Sequence, residues 1–412
     1  MERRIELRLT DMAHGGEALG RYEGKVIFVP YAIPDEEALV EITEDKGSYA
    51  RTRLVEVLSP SPHRVDPPCP HFGPERCGGC QWQHIAYPAQ LEFKAAVVRD
   101  QLARLGRLPD VPVKPTIPSA SPWHYRNHVQ FTVDNDGRLG FVATDGRRVE
   151  PTQKCYLLHP LLEELLAALD LELPGLTRLS LRAGVNTGDQ MLIFETQDDE
   201  PPALETDLPL SCVLLLSEGI PVNLIGNNYI TEVVAGRRFR ISATSFFQVN
   251  TAAAEELVRL VAEYLAPVGY ETLLDAYCGV GTFALTLADK VGQVIGVEEA
   301  AGAVEDARVN AGGVDNVEFI EGRVETVLPQ LDRRIDLVVL DPPRQGCRPE
   351  AMTALIELAP RRIVCVSCDP ATLARDARKL AEGGYQLVEV QPVDMFPQTY
   401  HIENVALFER SG

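Results

Sequence analysis

The hydrophobic positions change their period twice along the chain. Up to about residue 58 they come as short, mostly alternating runs. These are Ile5-Glu6-Leu7-Arg8-Leu9, Lys25–Val29, Ala38–Ile42 and Thr52–Val57, with Gly and Pro turns between them. Several short strands with regular turns predict a small barrel of the oligonucleotide-binding kind, and pattern alone fits a plain β-module equally well. The Pro-dense stretch from Ser59 to Pro68 cannot propagate a helix or a ladder and reads as a linker. Residues 88–106 carry Leu91, Val98, Leu102 and Leu105 on one helical face. Residues 123–240 mix strands with a helix over Pro160–Leu169, and Asp134-Asn135-Asp136-Gly137 signals a hairpin. From about residue 246 helix and strand alternate, with apolar runs at 272–277, 294–297, 317–320, 336–340 and 362–367. Such runs read as parallel strands buried on both faces. Two last strands, Tyr385–Val390 and Val405–Phe408, have little helix between them and predict an antiparallel close. The fold class expected is α/β. A small N-terminal β-barrel (1–58) and a mixed α+β centre (59–245) precede a Rossmann-like, mostly parallel domain (246–412).

Charge complicates this picture. The 412 residues carry a net charge of −21, which argues against nucleic acid as a partner because phosphate contacts need Lys and Arg. Net charge is a global sum, however, and local clusters such as Arg51-Thr52-Arg53, Arg147-Arg148 and Arg237-Arg238-Phe239-Arg240 can still form a basic surface. No apolar run is long enough for a bilayer and no signal-peptide stretch opens the chain, so a cytoplasmic protein without membrane partners is expected. Nine cysteines in strand or motif contexts point to metal or catalytic roles rather than a disulfide scaffold.

Candidate chemistry gathers at strand ends. Strand Leu273–Tyr277 runs into Cys278-Gly279-Val280-Gly281-Thr282, where glycines let the backbone approach a ligand. Glu298 ends the next strand and can accept both ribose hydroxyls of a nucleoside cofactor. Gly279, Gly281 and Ala284 also satisfy a dinucleotide fingerprint, so a nicotinamide-dependent oxidoreductase stands as the rival. The later strands end in Asp341-Pro342-Pro343-Arg344 and Ser367-Cys368-Asp369-Pro370, projecting Asp341 and Cys368 into the crevice. Carbon 5 of uracil is too weak a nucleophile for a sulfonium methyl. A thiolate adding to carbon 6 makes carbon 5 reactive, and a base must then remove the carbon 5 proton. The helix N-terminus after Cys368 is expected to favour the thiolate.

With these motifs in hand the chain resembles the RNA 5-methyluridine methyltransferase family over essentially its whole length. The resemblance rests on Phe246-Phe247-Gln248-Val249-Asn250, on the Asp275–Gly281 loop, on Asp341–Arg344, on Ser367–Asp376 and on Met395–Glu403. It implies Cys368 as nucleophile and Glu403 as proton acceptor. It implies an S-adenosylmethionine site lined by Gln248, Tyr277, Gly279, Gly281, Thr282, Glu298 and Asp341. Positions 282 and 369 are often Asn in the family, and an Asp at 369 close to the thiolate would raise its pKa. His401 is expected to shape its loop. The resemblance names the N-terminal module a TRAM domain that holds RNA.

Cys69, Cys77 and Cys80 form C-x7-C-x2-C, with Cys155 far downstream. Zinc and iron–sulfur are hard to separate on chemistry alone. By resemblance the four cysteines are expected to hold a [4Fe-4S] cluster, with His71 as a replacement for Cys69. The TRAM-like module and the cysteines together favour 23S ribosomal RNA as partner over transfer RNA. A monomer is expected. A non-catalytic RNA-binding iron–sulfur protein remains the third reading.

Overall fold

The computed structural model describes residues 4–169, 175–201 and 204–411. Sequence readings that touch the other residues lie outside the described ones. No helix among the described residues is long and apolar enough to cross a membrane.

Five strands close the N-terminal barrel: β1 (Arg4–Met12), β2 (Ala18–Tyr22), β3 (Lys25–Val29), β4 (Glu37–Asp45) and β5 (Tyr49–Ser59), in the order β1-β2-β3-β5-β4. Alternation works as expected: Ile5, Leu7, Leu9, Ile27, Val29, Ala38 and Val40 fill the interior. The alternating runs missed β2, whose middle residue is Gly20. A Cβ there would stand 2.5 Å from Leu7 Cδ1 and 2.8 Å from Arg8 O, so the close strand crossing requires glycine.

Helix α1 (Tyr87–Gln101) follows and passes into one wider turn over Leu102–Gly106. A second sheet has the order β12-β11-β10-β9-β6-β7-β8. Its strands are β6 (His128–Val133), β7 (Leu139–Val142), β8 (Val149–Pro151), β9 (Leu176–Ala183), β10 (Gln190–Thr196), β11 (Ser211–Leu215) and β12 (Pro221–Ile225). Helix α2 (Pro160–Ala168) contributes Leu162 and Leu165 to its core beside Phe131, Leu179 and Phe194. A hairpin of β13 (Tyr229–Val234) and β14 (Arg237–Ser242) leads to α3 (Thr251–Leu265), which Asn250 caps.

The C-terminal sheet runs β17-β16-β15-β18-β19-β21-β20. It comprises β15 (Thr272–Ala276), β16 (Gln293–Glu298), β17 (Val317–Glu321), β18 (Leu337–Leu340), β19 (Arg362–Ser367), β20 (Tyr385–Val393) and β21 (Glu403–Arg410). The first five are parallel, while β21 is antiparallel to both β19 and β20. Helices α4 (Thr282–Leu287), α5 (Ala301–Asn310), α6 (Val324–Val327), α7 (Pro349–Leu358) and α8 (Pro370–Glu382) connect the strands. Two apolar cores lie on the two faces of this sheet. The strand order reverses between β15 and β18, and a crevice opens there beyond the carboxyl ends.

Candidate active site

That crevice is a cleft of about 630 Å³. Gln248, Tyr277, Gly279, Thr282, Glu298, Asp341, Cys368 and Glu403 all line it. Gly281 does not line it. It starts α4 with φ +89°, and a Cβ would stand 3.0 Å from Leu285 and Phe319, so its work is the turn itself. Tyr277 also has a positive φ of +67°, an unusual backbone for a bulky residue and one that collects at functional sites. Sequence reading passed over Arg126, which precedes β6 and comes to the cleft from the second sheet. Its Nε is buried without a hydrogen-bond partner among the described residues. Phe246 stands at the cleft with 68% of its surface exposed.

Strand register brings Cys368 and Glu403 together. Ser367 of β19 pairs with Asn404 of β21, and the Asn404 side chain donates to Ser367 O (3.1 Å). The ladder ends there, one residue short of Cys368 and Glu403, and the Glu403 charge acts on the thiol. The loop between β20 and β21 is held by side chains from α1 and from Tyr125. Lys94 Nζ on α1 lies 2.6 Å from Asp394 Oδ1, both side chains fully buried, and also donates to Phe396 O. Gln90 donates to Gln398 Oε1, and Tyr125 OH donates to Pro397 O. His401 stacks on Tyr400 with ring centroids 4.4 Å apart, and burial pushes it down to about 4, so it is neutral.

The electrostatics suit a cation. Burial, then the Glu298 charge, pushes Asp341 up to about 7. Burial pushes Asp275 up to about 8, and its Oδ1 has no hydrogen-bond partner among the described residues. Burial and then Asp341 raise Glu403 well above the carboxylate range. Glu298 accepts the Gly279 and Ala300 N–H groups (3.0 and 2.8 Å), which fixes the acid at the glycine loop. Carboxylates that resist ionising against one another favour a positive ligand, and S-adenosylmethionine carries a sulfonium. The residues present fit that group.

The thiol differs from expectation. Burial, and then the Glu403 charge, pushes Cys368 up to about 12. The helix N-terminus cannot offset this because Asp369 occupies it, accepting the Ala371 and Thr372 N–H groups at 2.9 Å each. Asp369 is the smallest of the neighbouring charges that act on the thiol.

The cysteine cluster requires a correction. Cys69, Cys77, Cys80 and Cys155 do share one small pocket. Among the described residues, however, no group of three or more His, Cys, Asp or Glu side chains could hold a metal ion. The expected [4Fe-4S] cluster and metal site are therefore not supported. Burial pushes Cys77 up to about 11 and Cys80 up to about 12 and raises Cys155. His71, the alternative ligand, is engaged with Glu150 at 2.9 Å.

Comparison with known proteins completes the description. Residues 222–411 match the family model described as tRNA (Uracil-5-)-methyltransferase, and residues 3–55 match the TRAM domain. An uncharacterized RNA methyltransferase of Gloeobacter violaceus is 40% identical, over 99% of this chain and 96% of that protein. Another, from Thermosynechococcus vestitus, is 38% identical over 99% and 98%. Among solved structures, the Pyrococcus abyssi tRNA (uracil-54, C5)-methyltransferase with S-adenosyl-L-homocysteine is similar, with a TM-score of 0.78 and 28% identity. The match covers 98% of this chain and 100% of that one. These likenesses leave no place for the nicotinamide reading. The expected assignment to a 23S ribosomal branch finds no support in them, since the family model and this structural match are both named for tRNA. The chain belongs to the TRAM-domain, S-adenosylmethionine-dependent uracil-C5 RNA methyltransferase family.

Proposed function

We propose that the protein methylates carbon 5 of a uridine in transfer RNA, with Cys368 as nucleophile and Glu403 as the base. The observation that carries the chemistry is the β19–β21 ladder, which ends at Ser367 and Asn404, with the next residues, Cys368 and Glu403, both lining the cleft together with Asp341. The similarity to a tRNA enzyme over the full length of both chains supports the substrate class.

In this reading the barrel (1–58) grips RNA, the central region (59–245) brings Arg126 to the cleft, and residues 246–412 carry the chemistry. Gln248, Tyr277, Gly279, Thr282, Glu298 and Asp341 hold the methyl donor, with Gly281 shaping the loop behind them. S-adenosylmethionine supplies an electrophilic methyl and a positive charge when bound. The target base must leave its stack to reach a thiol set in this cleft, and Phe246 at the mouth offers a stacking face. Cys368 gives its thiol proton to solvent at the cleft, Sγ then adds to carbon 6, and the electron pair displaced from the carbon 5–carbon 6 double bond forms an enolate that makes carbon 5 nucleophilic. After methylation Glu403 takes the carbon 5 proton, the Sγ–carbon 6 bond breaks and the thiolate departs. The Arg344 charge acts on both Cys368 and Glu403, easing ionisation of each.

Nucleoside mass spectrometry on separated RNA from a deletion strain tests the substrate. Loss of 5-methyluridine from the tRNA fraction, with ribosomal RNA unchanged, is expected. Loss from ribosomal RNA alone would reject tRNA as the substrate.

A further inference from the structure

The turn between β1 and β2 reaches both loops that carry the reacting side chains. His14 Nε2 lies 3.3 Å from Oδ2 of Asp369, the residue directly after Cys368. The other oxygen of Asp369 is already engaged by the first N–H groups of α8. Both oxygens are thereby spoken for, and Asp369 stays out of the cleft lining. Two residues after His14, Gly16 lies flush on the other loop. A Cβ at Gly16 would stand 2.7 Å from Tyr400 Cβ, three residues ahead of Glu403. Trp82 Nε1–H donates to Gly16 O (3.0 Å), while the Trp82 backbone N–H donates to Gln398 O in the same loop (3.0 Å). The turn is itself closed, Ala13 N–H donating to Glu17 O at 2.8 Å.

Fold stability gives little reason for the His14–Asp369 contact. The two side chains are 33% and 27% exposed, and pairs this open to water add little to stability. Its effect is directional. It ties the closed barrel to the turn that carries the thiol, while Gly16 seats the same barrel against the loop that carries the carboxylate.

We propose that the β1–β2 turn is a positioning element of the methyl-transfer site, His14 fixing the Cys368–Asp369 turn and Gly16 fixing the Tyr400–Glu403 loop. The barrel then sets nucleophile and base relative to each other, beyond any grip it has on RNA. This rests on the roles proposed above for Cys368 and Glu403.

The full-length protein is assayed for single-turnover methyl transfer to tRNA from a deletion strain, with RNA affinity measured separately. His14→Ala should lower the saturated rate about ten- to hundredfold, the scale of a small misplacement of reacting groups. RNA affinity should stay within about twofold, as expected when no phosphate contact is lost. His14→Gln, which can still donate to Asp369, should recover most of the rate. Gly16→Ala should slow the saturated step in the same way; if it does not fold, the His14 pair of variants decides. Weakened RNA binding with an unchanged saturated rate would make His14 an RNA contact and overturn the inference, as would a wild-type rate in His14→Ala. Cys368→Ala is run in parallel. Turnover by that variant sinks the nucleophile assignment and this inference with it. An inactive Cys368→Ala beside a wild-type His14→Ala sinks this inference alone.

Discussion

Alkylation of Cys368 should be slow at neutral pH and rise steeply with alkalinity. The thiol stands at about 12 against an ordinary 9.0 because burial, and then the Glu403 charge, oppose its ionisation. At pH 8 an ordinary thiol is about one-tenth thiolate, and one at 12 about one part in ten thousand, a deficit of about a thousandfold. A more basic thiolate is also more nucleophilic, with a Brønsted slope of about 0.4–0.5, so three units return about twenty- to thirtyfold. The net expectation is a rate about thirty- to sixtyfold below an exposed cysteine, climbing about tenfold per pH unit from 7 to 9. The assay is iodoacetamide labelling read peptide by peptide, because Cys69, Cys77 and Cys155 are also partly accessible. A plateau near pH 7 would refute the reasoning, since it would mean that the helix N-terminus wins over burial after all.

Three further outcomes follow from the same geometry. Lys94→Met leaves the Asp394 carboxylate buried without its counter-charge, which costs about 3–5 kcal/mol. Urea denaturation should show that loss, and an unchanged midpoint would contradict it. Asp341 stands at about 7, so its carboxylate form grows as pH rises through neutrality. Affinity for S-adenosylmethionine measured by calorimetry should therefore increase several-fold from pH 6 to pH 8 in the wild type and stay flat in Asp341→Asn. Phe246→Ala removes an exposed aromatic at the cleft mouth, and base stacking is worth about 1–3 kcal/mol. The KM for RNA should rise about tenfold, with S-adenosylmethionine binding unchanged.

Local pattern carried much of this fold. Period-two alternation located four of the five barrel strands, and the β/α alternation after residue 246 located the parallel sheet, because each signal lies within one element. Buried strands such as β9 and β11 do not alternate, so the second sheet read only as a mixture. These cleft residues were legible for the same local reason, since Gln248, Glu298, Asp341, Cys368 and Glu403 each sit in a short motif. What holds them in place was not legible. Lys94 and Asp394 are 300 residues apart, and His14 meets Asp369 from another sheet. The cysteines show the opposite error. Three thiols within twelve residues suggested a metal, but spacing in sequence does not set how the side chains converge, and no group of three or more His, Cys, Asp or Glu side chains among the described residues could hold one.

The central claim is a covalent bond between Cys368 and carbon 6 of the target uracil. It is tested most directly with RNA carrying 5-fluorouridine, since fluorine at carbon 5 cannot leave as a proton and the bond cannot then be released. Incubated with S-adenosylmethionine, the wild-type protein should form a denaturant-stable complex. Mass spectrometry should place methylated fluorouridine on the peptide containing Cys368, and Cys368→Ala should form none. An adduct on another residue, or 5-methyluridine formed from normal RNA by Cys368→Ala, would contradict the account.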